Sequence, residues 1–484
     1  MTPLDHVKTF LLTGQDKLIY YADVQKPLTP SNLEDELGFL ESCLCDEGDR
    51  SQLLDIVKTS FRSGLSPDNS IVVLARCCSY SKDIELRNNA YTLILEICES
   101  PNQLFLFLSF YKTFSRHYNN SNGWNRIHKS YMCLWYIIKP LREFITQCTK
   151  YKKKYGWSHS DVFRLCHIRP YDKLQEIIIG YFVHGKLPDT YDDNEYIQYL
   201  QDYSDVQISP DKHFIIEKIN KWKFEKEQIP DFMINDKDVL NALVKNMTIS
   251  QILSENGVAE ILEEFPDTRS NVIKRFTNSL VKKSNINSLQ FVRAQERLPI
   301  LYDTLDAAFK MSMQNIVPIK KSVLVAIDIS PSMYRAINDI CPIKIACGLA
   351  LMMKSSETSC DIGAFCHNFD MVSLNINDSI DNNIIMLQSY QHGGTIFSLP
   401  MMWALNNEKK YDSIIIVSDK ENVRHPVESL KLYRREMNLN TRLVIFSLNT
   451  WGARQNMQED HDDHGILDIV GYDDKVFSII QNFL

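Results

Sequence analysis

The sequence predicts two architectures in tandem: an α-solenoid of stacked helical hairpins over residues 1–318, and a doubly wound α/β domain over residues 319–484. Two changes of texture carry this reading. Up to about residue 318 the apolar residues recur at helical spacing; after Lys320 and Lys321 short β-branched runs alternate with helical stretches. The composition, 44% hydrophobic and 24% charged over 484 residues, leaves room for two or three folded domains and carries no signature of disorder.

In the first part, apolar residues recur at helical spacing in Leu53, Leu54, Ile56, Val57 and Phe61, in Ile71, Val72 and Leu74, and in Leu93, Ile94, Leu95 and Ile97. Pro67, Pro101, Pro140, Pro170 and Pro230 punctuate the run. Short segments broken this way suit helical hairpins. No repeat of fixed period is visible, so the solenoid rests on segment length and punctuation.

In the second part, Ser322 to Asp328, Ile362 to Phe365, Ile414 to Val417 and Leu443 to Phe446 read as strands. Helices are expected near Ile343 to Lys354, Leu399 to Leu405 and Val427 to Met437. Near-continuous apolar strands separated by helices indicate a parallel sheet covered on both faces.

No stretch approaches the roughly 18 apolar residues of a membrane span, and the N-terminus lacks the layout of a signal peptide. The 12 cysteines include no pair separated by just two residues, so reduced, buried thiols are expected, and Cys360 and Cys366 flank an apolar run as packing residues. A soluble, cytoplasmic protein is expected, with the nucleus left open. The net charge of −8 argues against nucleic acid, but it conceals a reversal. Tyr111 to Glu176 holds 13 Lys and Arg against 4 Asp and Glu, a net of +9. That window could hold a polyanion.

In a doubly wound sheet, ligands bind at the carboxyl ends of the strands, and the first strand ends in Asp328-Ile-Ser330-Pro-Ser332. A carboxylate and two hydroxyls at alternate positions are hard ligands suited to Mg²⁺. Gly393-Gly394-Thr395 can supply a third hydroxyl, and Asp419 ends the apolar run Ile414 to Val417. Asp328, Ser330, Ser332, Thr395 and Asp419 are thus the candidate metal ligands. The set resembles the metal-ion-dependent adhesion site (MIDAS) of the von Willebrand A family, where the open coordination position takes a partner's carboxylate. An enzymatic reading finds little support. A dehalogenase-type site would need Asp where Ser330 stands, and Gly-x-Ser-x-Gly is absent. The acidic loop Glu459 to His464 reads as a solvated turn.

The densest basic run is Lys150-Tyr-Lys152-Lys153-Lys154-Tyr-Gly156-Trp157. If helical, it stacks Lys150 with Lys154 and Tyr151 with Tyr155, and ends at Gly156. The next helix opens at Ser158 with Asp161 in a capping box, presents Arg164 and His167, and stops before Pro170. Cations interleaved with aromatics can grip phosphates and stack unpaired bases. With Arg126, Lys129 and Arg142 nearby, RNA is favoured over a merely solubilising face.

The run Lys150 to His159, continued by Arg164-Leu-Cys-His167, resembles the signature of the TROVE domain, and the chain as a whole is similar to the Ro 60 kDa autoantigen family. Gly123-Trp124 with Arg126, Leu305 to Phe309, Gly393-Gly-Thr with Ser398 to Trp403, Val470-Gly-Tyr and Ile480 to Leu484 extend the match over both domains. The resemblance implies a closed ring of HEAT-like repeats that binds Y RNAs outside and takes the 3′ ends of misfolded small RNAs through the ring, as a ribonucleoprotein of RNA quality control. It places Y RNA-binding roles on Lys150, Lys154 and His167. Lys154 stands where the family has arginine, which keeps the charge and loses the bidentate fork, so Lys152 and Lys153 would share the task. With His159, Arg164 and Arg126 these complete the candidate RNA-binding residues. The rival expectation is a protein-interaction scaffold acting through the Mg²⁺-dependent A domain alone.

Overall fold

The computed structural model describes residues 2–22, 37–188, 194–284, 286–336, 340–390, 393–419, 426–449 and 463–484. They fall into two compact units, one of residues 1–16 and 27–246, the other of residues 17–26 and 247–484. Among the described residues, no helix is long and apolar enough to cross a membrane.

In the first unit, several predicted breaks prove to be helix starts. Pro67 and Pro101 occupy the first turn of the helices Pro67–Ser79 and Pro101–Asn119, where a missing N–H costs nothing. Ser100 closes a capping box with Gln103, and Asp83, Asn125 and Asp172 each accept a backbone N–H at their own helix start. The helix Pro67–Ser79 is buried on every side from Asn69 onward, as expected of an element at the centre of a helical stack. Trp135, of the helix Arg126–Ile137, is fully buried and donates its indole N–H to the Cys98 carbonyl at 2.6 Å.

The second unit is built on a seven-stranded sheet in the order β1 (Ile19–Tyr21), β9 (Ile466–Val470), β8 (Arg442–Ser447), β7 (Ser413–Ser418), β4 (Ser322–Asp328), β5 (Ser359–Phe365) and β6 (Phe369–Met371). All neighbours are parallel except the edge pair β5–β6. The doubly wound α/β fold is therefore present, and the four predicted strands and three predicted helices lie where the apolar runs placed them. β1 was not foreseen: Ile19, Tyr20 and Tyr21 pair with Asp468, Ile469 and Val470, and the Tyr20 hydroxyl donates to Asp473.

This unit is larger than residues 319–484, because it also takes in residues 17–26 and the helices from Ile249–Ser254 to Tyr302–Met313. Gly348 makes one such contact possible. A Cβ there would stand 2.9 Å from the Leu289 side chain, so Leu289 and Val292 of the helix Ser288–Arg297 pack directly on the backbone of Pro342–Ser356. β4 lies between β5 and β7, which makes its carboxyl end, at Asp328, the switch point of the sheet.

Candidate metal centre and nucleic-acid interface

All five predicted metal ligands converge at that switch point. Asp328 is fully buried at the end of β4. Its Oδ1 accepts the Ser330 backbone N–H at 2.8 Å, and its Oδ2 accepts the Ser418 hydroxyl at 2.6 Å and the Thr395 hydroxyl at 3.1 Å. The Ser330 and Ser332 hydroxyls are 3.2 Å apart, and Ser332 donates to Asp419 Oδ1 at 3.0 Å. Ser418, the last residue of β7, was not singled out in the sequence because it looked like the end of an apolar run.

Burial pushes the Asp328 carboxyl above the usual range, and the charge of Asp419 pushes the same way, against hydrogen bonds from Ser418 and Ser330. Among the described residues neither carboxylate has a Lys, Arg or His ion-pair partner. Two carboxylates and three hydroxyls, all hard oxygens around an uncompensated buried charge, fit a divalent cation of the Mg²⁺ type. When bound, such an ion would supply a Lewis-acidic position for an external oxygen ligand. No group of three His, Cys, Asp or Glu side chains suited to a metal exists among the described residues, so this set relies on hydroxyls to complete its two carboxylates. Of the acidic loop, Asp463 pairs with Arg434 and His464 is described, while residues 459–462 lie outside the described residues.

The basic run departs from expectation. The helix Leu141–Lys150 stops at Lys150, and Lys153–Lys154 (β2) pairs antiparallel with Trp157–Ser158 (β3). The run is a hairpin, turned by Tyr155 at φ 52° and Gly156 at φ 78°, the two left-handed residues of a type I′ turn. Two causes favour it over the helix. A helix would set Lys150 against Lys153 and Lys154 at repelling i,i+3 and i,i+4 spacing, whereas a strand sends Lys153 and Lys154 to opposite faces. His159 also binds the Tyr151 carbonyl through Nε2 at 2.8 Å, which fixes the chain as it leaves the helix. Gly156→Ala places a Cβ in the left-handed region and is expected to cost about 1 kcal/mol, read as a lower urea midpoint.

The candidate RNA residues divide into two sets. Lys150 is 2.6 Å from Glu225 and 3.9 Å from Glu227, so its charge is spent within the fold. His159 is buried, accepting from Tyr136 at Nδ1 and donating from Nε2, and serves the core rather than a ligand. Arg142, noted nearby, packs over Tyr199 and Trp222. Lys153, Lys154, Arg126, Arg164 and His167 are exposed, as is Lys152, which donates to Gln207.

The helix His159–Cys166 carries the expected Ser158–Asp161 capping box and presents Arg164 in its last turn, with His167 as a left-handed cap. Trp124, two residues before Arg126, lies 5.7 Å from Trp157 of the hairpin, and Lys112 stands over the Trp157 ring at 5.1 Å. The hairpin, the start of Arg126–Ile137 and the helix His159–Cys166 thus belong to one basic, aromatic-edged surface. Cations of this kind hold phosphates without reading sequence.

Comparison with known proteins identifies both domains. Residues 46–281 match the model of the TROVE domain, and residues 322–484 that of the Ro60 vWA domain. The chain is 24% identical over 574 residues to the RNA-binding protein RO60 of Caenorhabditis elegans, covering 99% of this chain and 87% of that protein. It is 21% identical over 503 residues to the RNA-binding protein RO60 of Deinococcus radiodurans, covering 98% and 91%. The crystal structure of the Deinococcus radiodurans RO (RSR) protein shares the fold, with a TM-score of 0.84 at 20% identity over 99% of each chain.

Proposed function

Because the chain belongs to the Ro 60 kDa family, with a TROVE domain followed by a Ro60 vWA domain, we propose that it is an RNA-binding protein of small-RNA quality control. In this reading it binds Y RNAs and the 3′ ends of misfolded small RNAs as a ribonucleoprotein. The vWA domain holds Mg²⁺ through Asp328, Ser330, Ser332, Thr395 and Asp419 and receives a carboxylate from a protein partner. In this reading the chain acts by binding: the buried Asp328 carboxyl stands among the hydroxyls of Ser418 and Thr395, and Ser332 donates to Asp419, an arrangement that suits a ligand set.

The observation that carries the RNA reading is the exposed cation set of Lys153, Lys154, Arg164 and Arg126 on the hairpin and its neighbouring helices. A scaffold without specific RNA binding is the second reading, favoured by the carboxylates that already occupy Lys150 and Lys139. Filter binding of a Y-type stem-loop RNA across a salt series separates the two. In the variant Lys153→Ala, Lys154→Ala, Arg164→Ala, affinity is expected to fall at least tenfold. The salt slope is expected to shrink by about 3, roughly one unit for each phosphate left without its cation. Unchanged retention would remove these residues from the interface, and wild-type binding without salt dependence would favour the scaffold.

A further inference from the structure

We propose that His367 is the positioning residue of the cation site, its imidazole holding the Gly393-Gly394-Thr395 turn so that the Thr395 hydroxyl is aimed at the ion. The inference rests on the reading of Asp328, Ser330, Ser332, Thr395 and Asp419 as cation ligands.

β5 ends at Phe365, and the two residues that follow grip the segment carrying Thr395 from both sides. The Gly394 N–H donates to His367 Nε2 at 3.1 Å, and the Ile396 N–H donates to the Cys366 carbonyl at 3.1 Å. Thr395 lies between these two anchors, and its hydroxyl is left to point at Asp328. Without the first anchor, the turn is held on one side only.

The glycines carry the same message. Neither Gly393 nor Gly394 has a positive φ, so backbone freedom does not explain them. The space does. A Cβ on Gly393 would stand 2.0 Å from His367 Cδ2 and Nε2, and one on Gly394 would stand 3.3 Å from Cε1. The imidazole lies against the turn, and a side chain on Gly393 would displace it. His367 is itself exposed, so burial in the core does not account for its position. Because Nε2 accepts, the ring proton resides on Nδ1. Groups that orient a metal ligand in this way typically change metal affinity by about 10- to 100-fold when removed.

The test is calorimetric titration of the full chain with Mg²⁺, with Thr395→Ala as reference. His367→Ala is expected to weaken Mg²⁺ about tenfold, with the melting temperature in chelator unchanged. His367→Gln, whose amide oxygen can accept the Gly394 N–H, is expected to restore most of the affinity, a recovery that a general packing role would not produce. Gly393→Ala is expected to match the loss of His367→Ala on its own and to add little in the double variant, because the ring it displaces is already gone. Wild-type affinity in His367→Ala, or full additivity in the double variant, overturns the proposal. Absence of Mg²⁺ binding by the wild type overturns instead the cation-site reading beneath it.

Discussion

Asp328→Asn is expected to abolish Mg²⁺ binding, by at least a hundredfold, without weakening the metal-free fold. The asparagine side chain is nearly isosteric: its oxygen, in the Oδ1 position, can still accept the Ser330 N–H, and its NH2, in the Oδ2 position, can donate to the Ser418 or Thr395 hydroxyl. What disappears is the charge. In the metal-free protein that charge is buried, close to Asp419 and without a cation, and so is a cost to the fold. Once removed, the metal-free protein should be at least as stable as before. A cation at a hundred times its dissociation constant stabilises the native state by about 2.7 kcal/mol, and the variant forfeits nearly all of it. Thermal melts with Mg²⁺ and with chelator check both halves: the wild type should show a Mg²⁺-dependent rise in melting temperature that is missing in Asp328→Asn. An equal rise in both would show that the stabilising ion sits elsewhere.

A second large effect is expected on acidification. His128 is buried, stacked 4.0 Å from the Tyr111 ring, and bonded to the Tyr91 hydroxyl; burial pushes it down to about 3. Burial likewise holds His159 at about 4. In the unfolded chain both titrate near 6.5. Between the folded and unfolded values the unfolded state binds more protons, so stability is complete above about pH 6.5 and is lost as pH falls toward 4. At pH 4 each histidine withdraws on the order of 3 kcal/mol, a large part of a typical domain's 5–15 kcal/mol. Urea midpoints of the helical unit measured from pH 7.5 to 4 should fall steeply below 6.5. His159→Gln should flatten part of that slope even if it lowers the plateau. A profile of unchanged steepness in this variant and its His128 counterpart would locate the acid-sensitive protons on other groups.

The legible parts of the molecule are those whose signal is local. Ile414 to Val417 and Leu443 to Phe446 are buried on both faces and read as strands without help from any partner. Of the proposed metal ligands, Asp328, Ser330, Ser332 and Asp419 follow the ends of β4 and β7, so finding the strands located them, while Thr395 was marked by its two glycines. The Ser158–Asp161 capping box spans three residues and was equally plain. What failed was decided at long range or by a second period. The run Lys150 to Tyr155 satisfies helical spacing through Lys150 with Lys154 and Tyr151 with Tyr155, and Tyr155-Gly156 lacks the Asn or Asp that usually marks a type I′ turn. The pairing that takes Lys150 out of the candidate RNA-binding residues depends on Glu225, 75 residues away. His367 meets the Thr395 segment through a backbone N–H 27 residues downstream, and its only trace in the sequence is a pair of glycines.

The edge strand β1 bears on how the chain is made. Its residues leave the ribosome well before their partners Asp468 to Val470, and the bond from Tyr20 to Asp473 spans 453 residues. At about 5–20 residues per second, Ile19 to Tyr21 wait some tens of seconds with a full row of unsatisfied backbone groups. During that interval the nascent segment is open to strand-pairing with other chains. When β9 arrives, β1 covers what would otherwise be the sheet's exposed parallel edge, and a strand made early closes a sheet whose other strands are all made later.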